Sequence, residues 1–367
     1  MIYSYSGGKF SPLMLETVTW RIAVVLTLFA LYFPMFRHVA YMVPFLALIH
    51  GLAEGRFRVP EASKPFVALI LANLALIPLA TNDGYKDLYF IVSGVSLSLV
   101  LTKDRISPYW LVWVFAIGAV LNAYQDGRLA GGFVFDFLHS ESSFEGNFAF
   151  LFGLLVIYAA ITRQWKLLFL SFIGSVLTLK RATILAEIIC VALTFVPDRQ
   201  LRRLLNPVLM VAINLLLVSI SLLYAFHAFD SVIVQMTGQS ANQFGLGRQE
   251  LYEPIAKALE NNPLRFAFLG EGPGTSYDLI SSQAAIHGHS NLHSDILKIL
   301  YEYGFVVLSI FIVLGYSSRY LALRLMFLYA NIVFATDNVL IYHFFLFFFC
   351  FFGLALERYE DNKNVGT

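Results

Sequence analysis

Apolar residues recur along this chain in blocks of membrane-helix length, joined by short polar connections. The blocks fall at 18–36, 38–53, 65–81, 86–102, 107–125, 146–162, 165–179, 181–196, 205–228, 293–316, 320–336 and 338–356. A helix that crosses a bilayer needs roughly 20 apolar residues, with about 17–25 usable, so the pattern predicts twelve transmembrane helices. The second block is short, and the seventh and eighth are nearly fused. The rhythm breaks once, at residues 229–292, the only long hydrophilic stretch. The expected organisation is therefore nine spans over 1–228, a large loop with short helices over 229–292, and three spans with a polar tail over 293–367. Inside the loop, Arg248–Leu259 has the apolar spacing of a short amphipathic helix lying on a membrane surface. Gly270-Glu271-Gly272-Pro273-Gly274 predicts a tight turn whose backbone approaches a neighbour closely. Ser294 and Asp295 suit the N-cap of the tenth span, and Lys298 and Glu302, four apart, suit a pair on one helix face.

Composition agrees with that reading. The chain is 58% hydrophobic and 13% charged, against about 45–50% and about 25% in soluble domains. This is the profile of an all-α polytopic membrane protein. A net charge of +1 gives no reason to expect nucleic acid as a partner. Cys190 and Cys350 lie inside apolar runs and read as inert core thiols, not as a disulfide or metal pair. The first apolar run lacks a small-residue cleavage site and is followed by further spans, so no cleavable signal peptide is expected.

Basic residues sort the connections into two sets. Arg56, Arg58 and Lys64; Lys103 and Arg105; Arg163 and Lys166; Arg199, Arg202 and Arg203; Arg319 and Arg324; and Arg358 and Lys363 fall in alternate connections. The other set, Asn82–Asp87, Asp126–Glu145 and Thr336–Asn338, is poor in them. Lysine and arginine concentrate on the cytoplasmic side, which puts both termini in the cytoplasm and the 229–292 loop outside (in the periplasm, if the organism is Gram-negative). Lys180-Arg181, between the seventh and eighth spans, breaks this sorting. Such a pair either snorkels at a helix end or marks an anion site on the face of the loop.

Four cations, Lys180, Arg181, Arg248 and Arg265, are candidates for that face. The guanidinium fork captures phosphate bidentately. An arginine at a helix start opposes the dipole unless both face a bound anion, so Arg248 is either a solvated loop residue or part of such a site. The glycine turn is no P-loop, since no Gly-Lys-Ser/Thr follows. His287, His289 and His293 lie within seven residues. Their spacing does not suit a helical zinc motif, and no metal site or cofactor is expected. His293 reads as a general base or orienting donor, or as a capping histidine at a helix start. Glu187, Asp337 and His343 are buried ionisable residues with either a structural or a relay role.

These residues carry a resemblance. His293-Ser294, nine residues, then Gly304 resembles the signature of bacterial O-antigen ligases and Wzy-type O-antigen polymerases, which follows their large periplasmic loop. Gly247-Arg248, Asn262-Pro263 and Gly270-Glu271-Gly272 resemble the family's motifs within that loop, and Lys180-Arg181 its basic pair between two middle spans. The likeness covers about residues 175–310; the N-terminal half matches in hydropathy alone. Val307 departs from the small residue or threonine usual three positions after the glycine.

The resemblance implies a type C glycosyltransferase-like fold and metal-independent transfer of a glycan from undecaprenyl pyrophosphate to a sugar hydroxyl, with inversion. Arg181 and Arg248 would hold the departing pyrophosphate, and His293 would activate the acceptor. Lys180, His287, His289, Arg265 and Tyr252 are the expected substrate contacts. The acceptor is another lipid-linked repeat unit in a polymerase, the reading favoured here, or the lipid A core in a ligase. A chain-length regulator and a flippase are the expected protein partners. A transporter of a lipid-linked solute would instead show inverted repeats and helices broken near the midplane. A non-catalytic scaffold would not elongate lipid-linked repeats when purified.

Overall fold

In the computed structural model, residues 58–100, 108–136, 141–245, 247–282 and 291–365 are described, with isolated positions between 42 and 55. The first expected span, most of the second, and His287 and His289 lie outside the described residues.

Sixteen α-helices are present among the described residues: α1 Lys64–Ala75, α2 Asn82–Val100, α3 Pro108–Gln125, α4 Phe148–Ile161, α5 Trp165–Thr178, α6 Arg181–Leu193, α7 Asp198–Leu204 and α8 Pro207–Ala225; then α9 Asp230–Thr237, α10 Ala241–Phe244, α11 Arg248–Asn261, α12 Pro263–Phe268, α13 Thr275–Ser281, α14 Asp295–Tyr316, α15 Leu321–Thr336 and α16 His343–Val365. The strands β1 Phe135–Asp136 and β2 Glu141–Ser142 form a short antiparallel hairpin.

Among the described residues, helices form where the apolar blocks from 65–81 onward were read. Only α8 and α14, among the described residues, are by themselves long and apolar enough to cross a bilayer. The apolar helices α4, α5 and α15 have 14, 14 and 16 residues, about 21–24 Å at 1.5 Å per residue, short of the roughly 30 Å hydrocarbon core.

The core is aromatic. Phe66 on α1 packs edge-on against Phe311, Phe334 and Phe349, with ring centroids 5.4–6.4 Å apart. These rings bring α1, α14, α15 and α16 together. The outward faces are also apolar: Trp113, Phe169, Leu185, Val208 and Leu216 are all exposed. Large exposed apolar faces mark contact with lipid or a partner, and here they recur on α3, α5, α6 and α8. Inside a bilayer, tight van der Waals packing of rings replaces the hydrophobic effect as the force between helices.

Successive long helices alternate in direction, which sorts their ends. The C-terminus of α5 and the N-termini of α4, α6, α14 and α16 share one end with the C-terminus of α15. The opposite end gathers Arg163, Arg202, Arg319 and Asp361 around a cleft of about 480 Å³. There Arg319 pairs with Asp361 at 3.5 Å, and Arg163 donates to the Thr194 carbonyl at 2.9 Å. Arg163, Arg202 and Arg319, from three of the basic connections, thus meet at one end of the bundle.

The polar stretch forms α9 to α13. The amphipathic helix α11 is present, but its apolar face is not turned toward lipid: Leu251, Ile255 and Ala256 are buried against neighbouring protein. Leaning that face on α8 and α13 buries the same side chains without reaching a bilayer. Lys298 also differs from expectation. It pairs with Asp87 of α2, while Glu302 accepts from the Ser276 hydroxyl at 2.5 Å. A buried ammonium needs a carboxylate at close range, and α2 supplies one.

The glycine turn and Gly304 explain one another. Gly304 has φ 81° and ψ 172°, which interrupts α14. Beside the interruption, the carbonyls of Tyr301 and Glu302 accept from the amides of Glu271 and Gly272, both at 2.9 Å. Gly270 passes so close that a Cβ on it would lie 2.5 Å from the Glu302 carbonyl carbon. The expected close approach of the turn is therefore observed, and its neighbour is the broken span.

Candidate active site

The site is assembled from the helix ends at the pole away from the basic connections. Lys180 is the N-cap of α6, set by a turn in which Leu179 takes a left-handed conformation (φ 46°). The β hairpin reaches this turn through Ser142, whose hydroxyl donates to the Leu177 carbonyl at 2.5 Å. The Lys180 ammonium lies 3.8 Å from Glu145 and 3.9 Å from Asp337. Arg181, the first residue of α6, is exposed.

His293 precedes the Ser294 N-cap of α14, whose hydroxyl accepts from the Leu297 amide at 3.3 Å. Its backbone is left-handed (φ 52°), a conformation that costs a non-glycine residue about 1–3 kcal/mol and persists where the surroundings fix it. Tyr252 donates to the His293 carbonyl at 3.2 Å. The imidazole Nδ1 stands 3.6 Å from Asp337 Oδ1.

Asp295 ties this segment to the end of α15. Its carboxylate accepts from the Val339 and Leu340 amides at 2.6 and 2.9 Å, and its own amide donates to the Asp337 carbonyl at 3.2 Å. His293 and Asp337, 44 positions apart in sequence, are thereby registered through backbone as well as side chain. Burial pushes the Asp337 carboxyl up. The nearby His293 imidazole, Lys180 and the Asn338 amide outweigh that and hold it below its ordinary value.

Arg248 opens α11 one turn before Tyr252, so both stand on the same helix face. Burial pushes the Tyr252 phenol up to about 12 and Arg248 opposes the shift, so the phenol is a proton donor at neutral pH. Arg248 is half-buried and, among the described residues, makes no ion pair.

The structure thus links Arg248, Tyr252, His293, Asp337 and Lys180 in one continuous set, with Arg181 adjoining Lys180. Arg265 is not joined to it by any contact among the described residues. It pairs with Glu271 at 2.9 Å and donates to the Gly270 carbonyl at 3.1 Å, bracing the glycine turn. Sequence reasoning underrated Asp337 and passed over Glu145. The available signal was the polar break Thr336-Asp337-Asn338 between two apolar blocks. The other buried candidates do not join: Glu187 accepts from Ser175 on the neighbouring helix at 2.5 Å, and Cys190 and Cys350 are buried free thiols.

These features describe a mostly helical membrane protein with a polar, cation-flanked histidine site at one end of the bundle. Residues 166–312 match the family model described as O-antigen ligase. The matched stretch holds Lys180, Arg181, Arg248, His293 and Gly304 and is similar to that family over about two fifths of the chain. Glu145 and Asp337 lie outside the matched residues. No curated protein matches the chain.

Proposed function

We propose that this protein polymerises a surface polysaccharide, transferring a glycan from undecaprenyl pyrophosphate to a hydroxyl of another lipid-linked repeat unit. The site faces the periplasm in this reading. The protein crosses the inner membrane about twelve times with both termini in the cytoplasm, and residues 229–292 form the external loop.

The observation that carries the reading is His293, strained and fixed between Asp337 and Tyr252 with cations on either side. Asp337 orients the ring through Nδ1, and the imidazole accepts the proton of the acceptor hydroxyl at Nε2. The acceptor oxygen then bonds to the anomeric carbon as the bond from that carbon to the pyrophosphate oxygen breaks, inverting the centre. Arg248 and Arg181 meet the charge that develops on the departing pyrophosphate. One such preorganised donor is typically worth about 10²–10³ in rate. Lys180 is partly neutralised by two carboxylates, which suits a positioning role. Guanidinium and ammonium groups supply the positive charge, so the proposed chemistry needs no metal.

A ligase that passes the glycan to lipid A core would use the same groups, and gene deletion separates the two. Loss of a polymerase leaves lipopolysaccharide capped with a single repeat unit; loss of a ligase leaves none. Restoring the gene with His293→Ala should not restore long chains although the protein reaches the membrane, and a full ladder from that variant would sink the mechanism. The interruption of α14 at Gly304 is a feature expected of the transporter reading. Its exposed carbonyls are occupied by the loop's own amides, however, and the cations gather at the helix ends.

A further inference from the structure

Behind the histidine lies a second cavity, of about 120 Å³, lined by Asp83 and Asp87 of α2, Tyr277 of α13, Lys298 of α14, and Asn291 and Asn338. Leu292, which precedes His293, and Asn338, which follows Asp337, both belong to its wall. The backbone that carries the histidine and its carboxylate is thus also a wall of this cavity.

Its chemistry differs from that of the cationic face. Two lysines line it, but each is already paired: Lys86 with Asp83 at 3.6 Å, and Lys298 with Asp87. The four charges cancel, so the cavity offers a pyrophosphate nothing. It offers carboxylates, amides and an aromatic ring. These are groups that bind neutral, hydroxyl-rich molecules, the amides and carboxylates taking hydroxyl protons and the ring covering an apolar sugar face.

One buried acceptor atom is unsatisfied. Asn338 is 2% exposed; its amide nitrogen donates to Asn291 Oδ1 at 3.3 Å, while its own Oδ1 has no partner. A buried acceptor left unfilled costs about 1–3 kcal/mol, so the site gains from a ligand that donates there. The volume is about four times the roughly 30 Å³ share of one water, on the scale of a single sugar ring.

We infer that this cavity is the acceptor subsite: it receives the terminal sugar of the acceptor glycan and turns one hydroxyl toward His293. The inference rests on the transferase reading above. It separates the two substrates by charge, with the donor pyrophosphate on the Arg248–Arg181 side and a neutral sugar between α2 and α13. Asn338 and Tyr277 bind the acceptor and take no part in bond making.

Two readouts on the detergent-purified full chain test it. In the first, Tyr277→Ala and Asn338→Ala are assayed for glycan transfer with donor and acceptor varied separately. Removing binding contacts raises KM for the ligand they hold; the acceptor KM should rise about tenfold with the donor KM within about twofold, and Tyr277→Phe should recover most of the loss. An unchanged acceptor KM, or equal rises in both, overturns the subsite and leaves the transferase reading standing.

In the second, saturation-transfer NMR probes binding of repeat-unit oligosaccharides released by mild acid from the lipid-linked pool of the producing cell. Wild type should show transfer to the terminal sugar, and both alanine variants should lose it. If wild type binds in this way yet catalyses no transfer, the transferase reading fails and the sugar site stands. Equal signals from wild type and variants mean the cavity holds ordered water only, which refutes the proposal. Asp83→Asn serves in both assays where either alanine variant unfolds.

Discussion

At the scale of single residues, the site depends on contacts that join distant parts of the chain. Asp337 faces both His293 and Lys180, so one carboxylate orients the base and anchors the basic pair. Asp337→Asn should lower transfer by about 10–100-fold, the range for losing a group that orients a functional histidine, with the protein still present in the membrane. It should also change acid stability, and the sign follows from the depressed carboxyl. A group held below its unfolded value, about 3.9 for aspartate, stabilises the fold fully above that value. The contribution is lost as pH falls through the lower, folded value. Wild type should therefore lose more of its thermal midpoint than Asp337→Asn when taken from pH 7 to below pH 4 in detergent; equal losses would contradict the arrangement. His293, Lys180 and Arg248 stood out in the sequence because each is polar against an apolar background or out of place by charge sidedness. Asp337 did not, because what makes it matter is a partner 44 positions away, and one-dimensional spacing carries no such information.

At the scale of elements, long apolar blocks declared their helices plainly, since a segment in lipid must satisfy its backbone internally. The turn between α5 and α6 and the cap at Ser294 were legible for the same local reasons. The break in α14 was not. Gly304 sits in a strongly apolar run, and a glycine there reads equally well as a packing contact. What fixes its conformation is the loop pressed against it, with Leu269 N and Phe268 C each 3.0 Å from where a Cβ would stand. The backbone near φ 81° and ψ 172° is essentially reserved for glycine and costs other residues about 1–3 kcal/mol. Gly304→Ala should therefore destabilise the folded protein by roughly that amount, read as a lower thermal midpoint in detergent. A variant as stable as wild type would mean that α14 runs unbroken.

For the whole molecule, the decisive feature is where charge is buried. Lys298 and Asp87 fasten α14 to α2 with both side chains largely shielded from solvent. Removing one partner of a buried pair strands the other and costs about 3–5 kcal/mol, whereas replacing both with apolar groups is often neutral. Asp87→Ala should markedly reduce the yield of folded protein, and Asp87→Leu/Lys298→Met should restore it. Chromatographic homogeneity and thermal midpoint are the measurements; a double variant no better than the single would show that the pair is needed for more than neutrality. The single polar stretch, which forms the short helices α9 to α13, was readable along the chain. The inward face of α11 was not, because amphipathic spacing shows that a helix has an apolar side without showing what covers it.

The contact between the glycine turn and the Gly304 break bears on how the protein is made. The amides that occupy the Tyr301 and Glu302 carbonyls come from residues 271 and 272, synthesised before the helix they serve. A carbonyl left open in hydrocarbon costs several kcal/mol, so α14 on its own is a poor candidate for stable release from the insertion machinery. In the proposed topology, with the loop outside, integration of α14 waits until the preceding loop has been translocated and has folded, which makes export of that loop a checkpoint for completing the membrane domain.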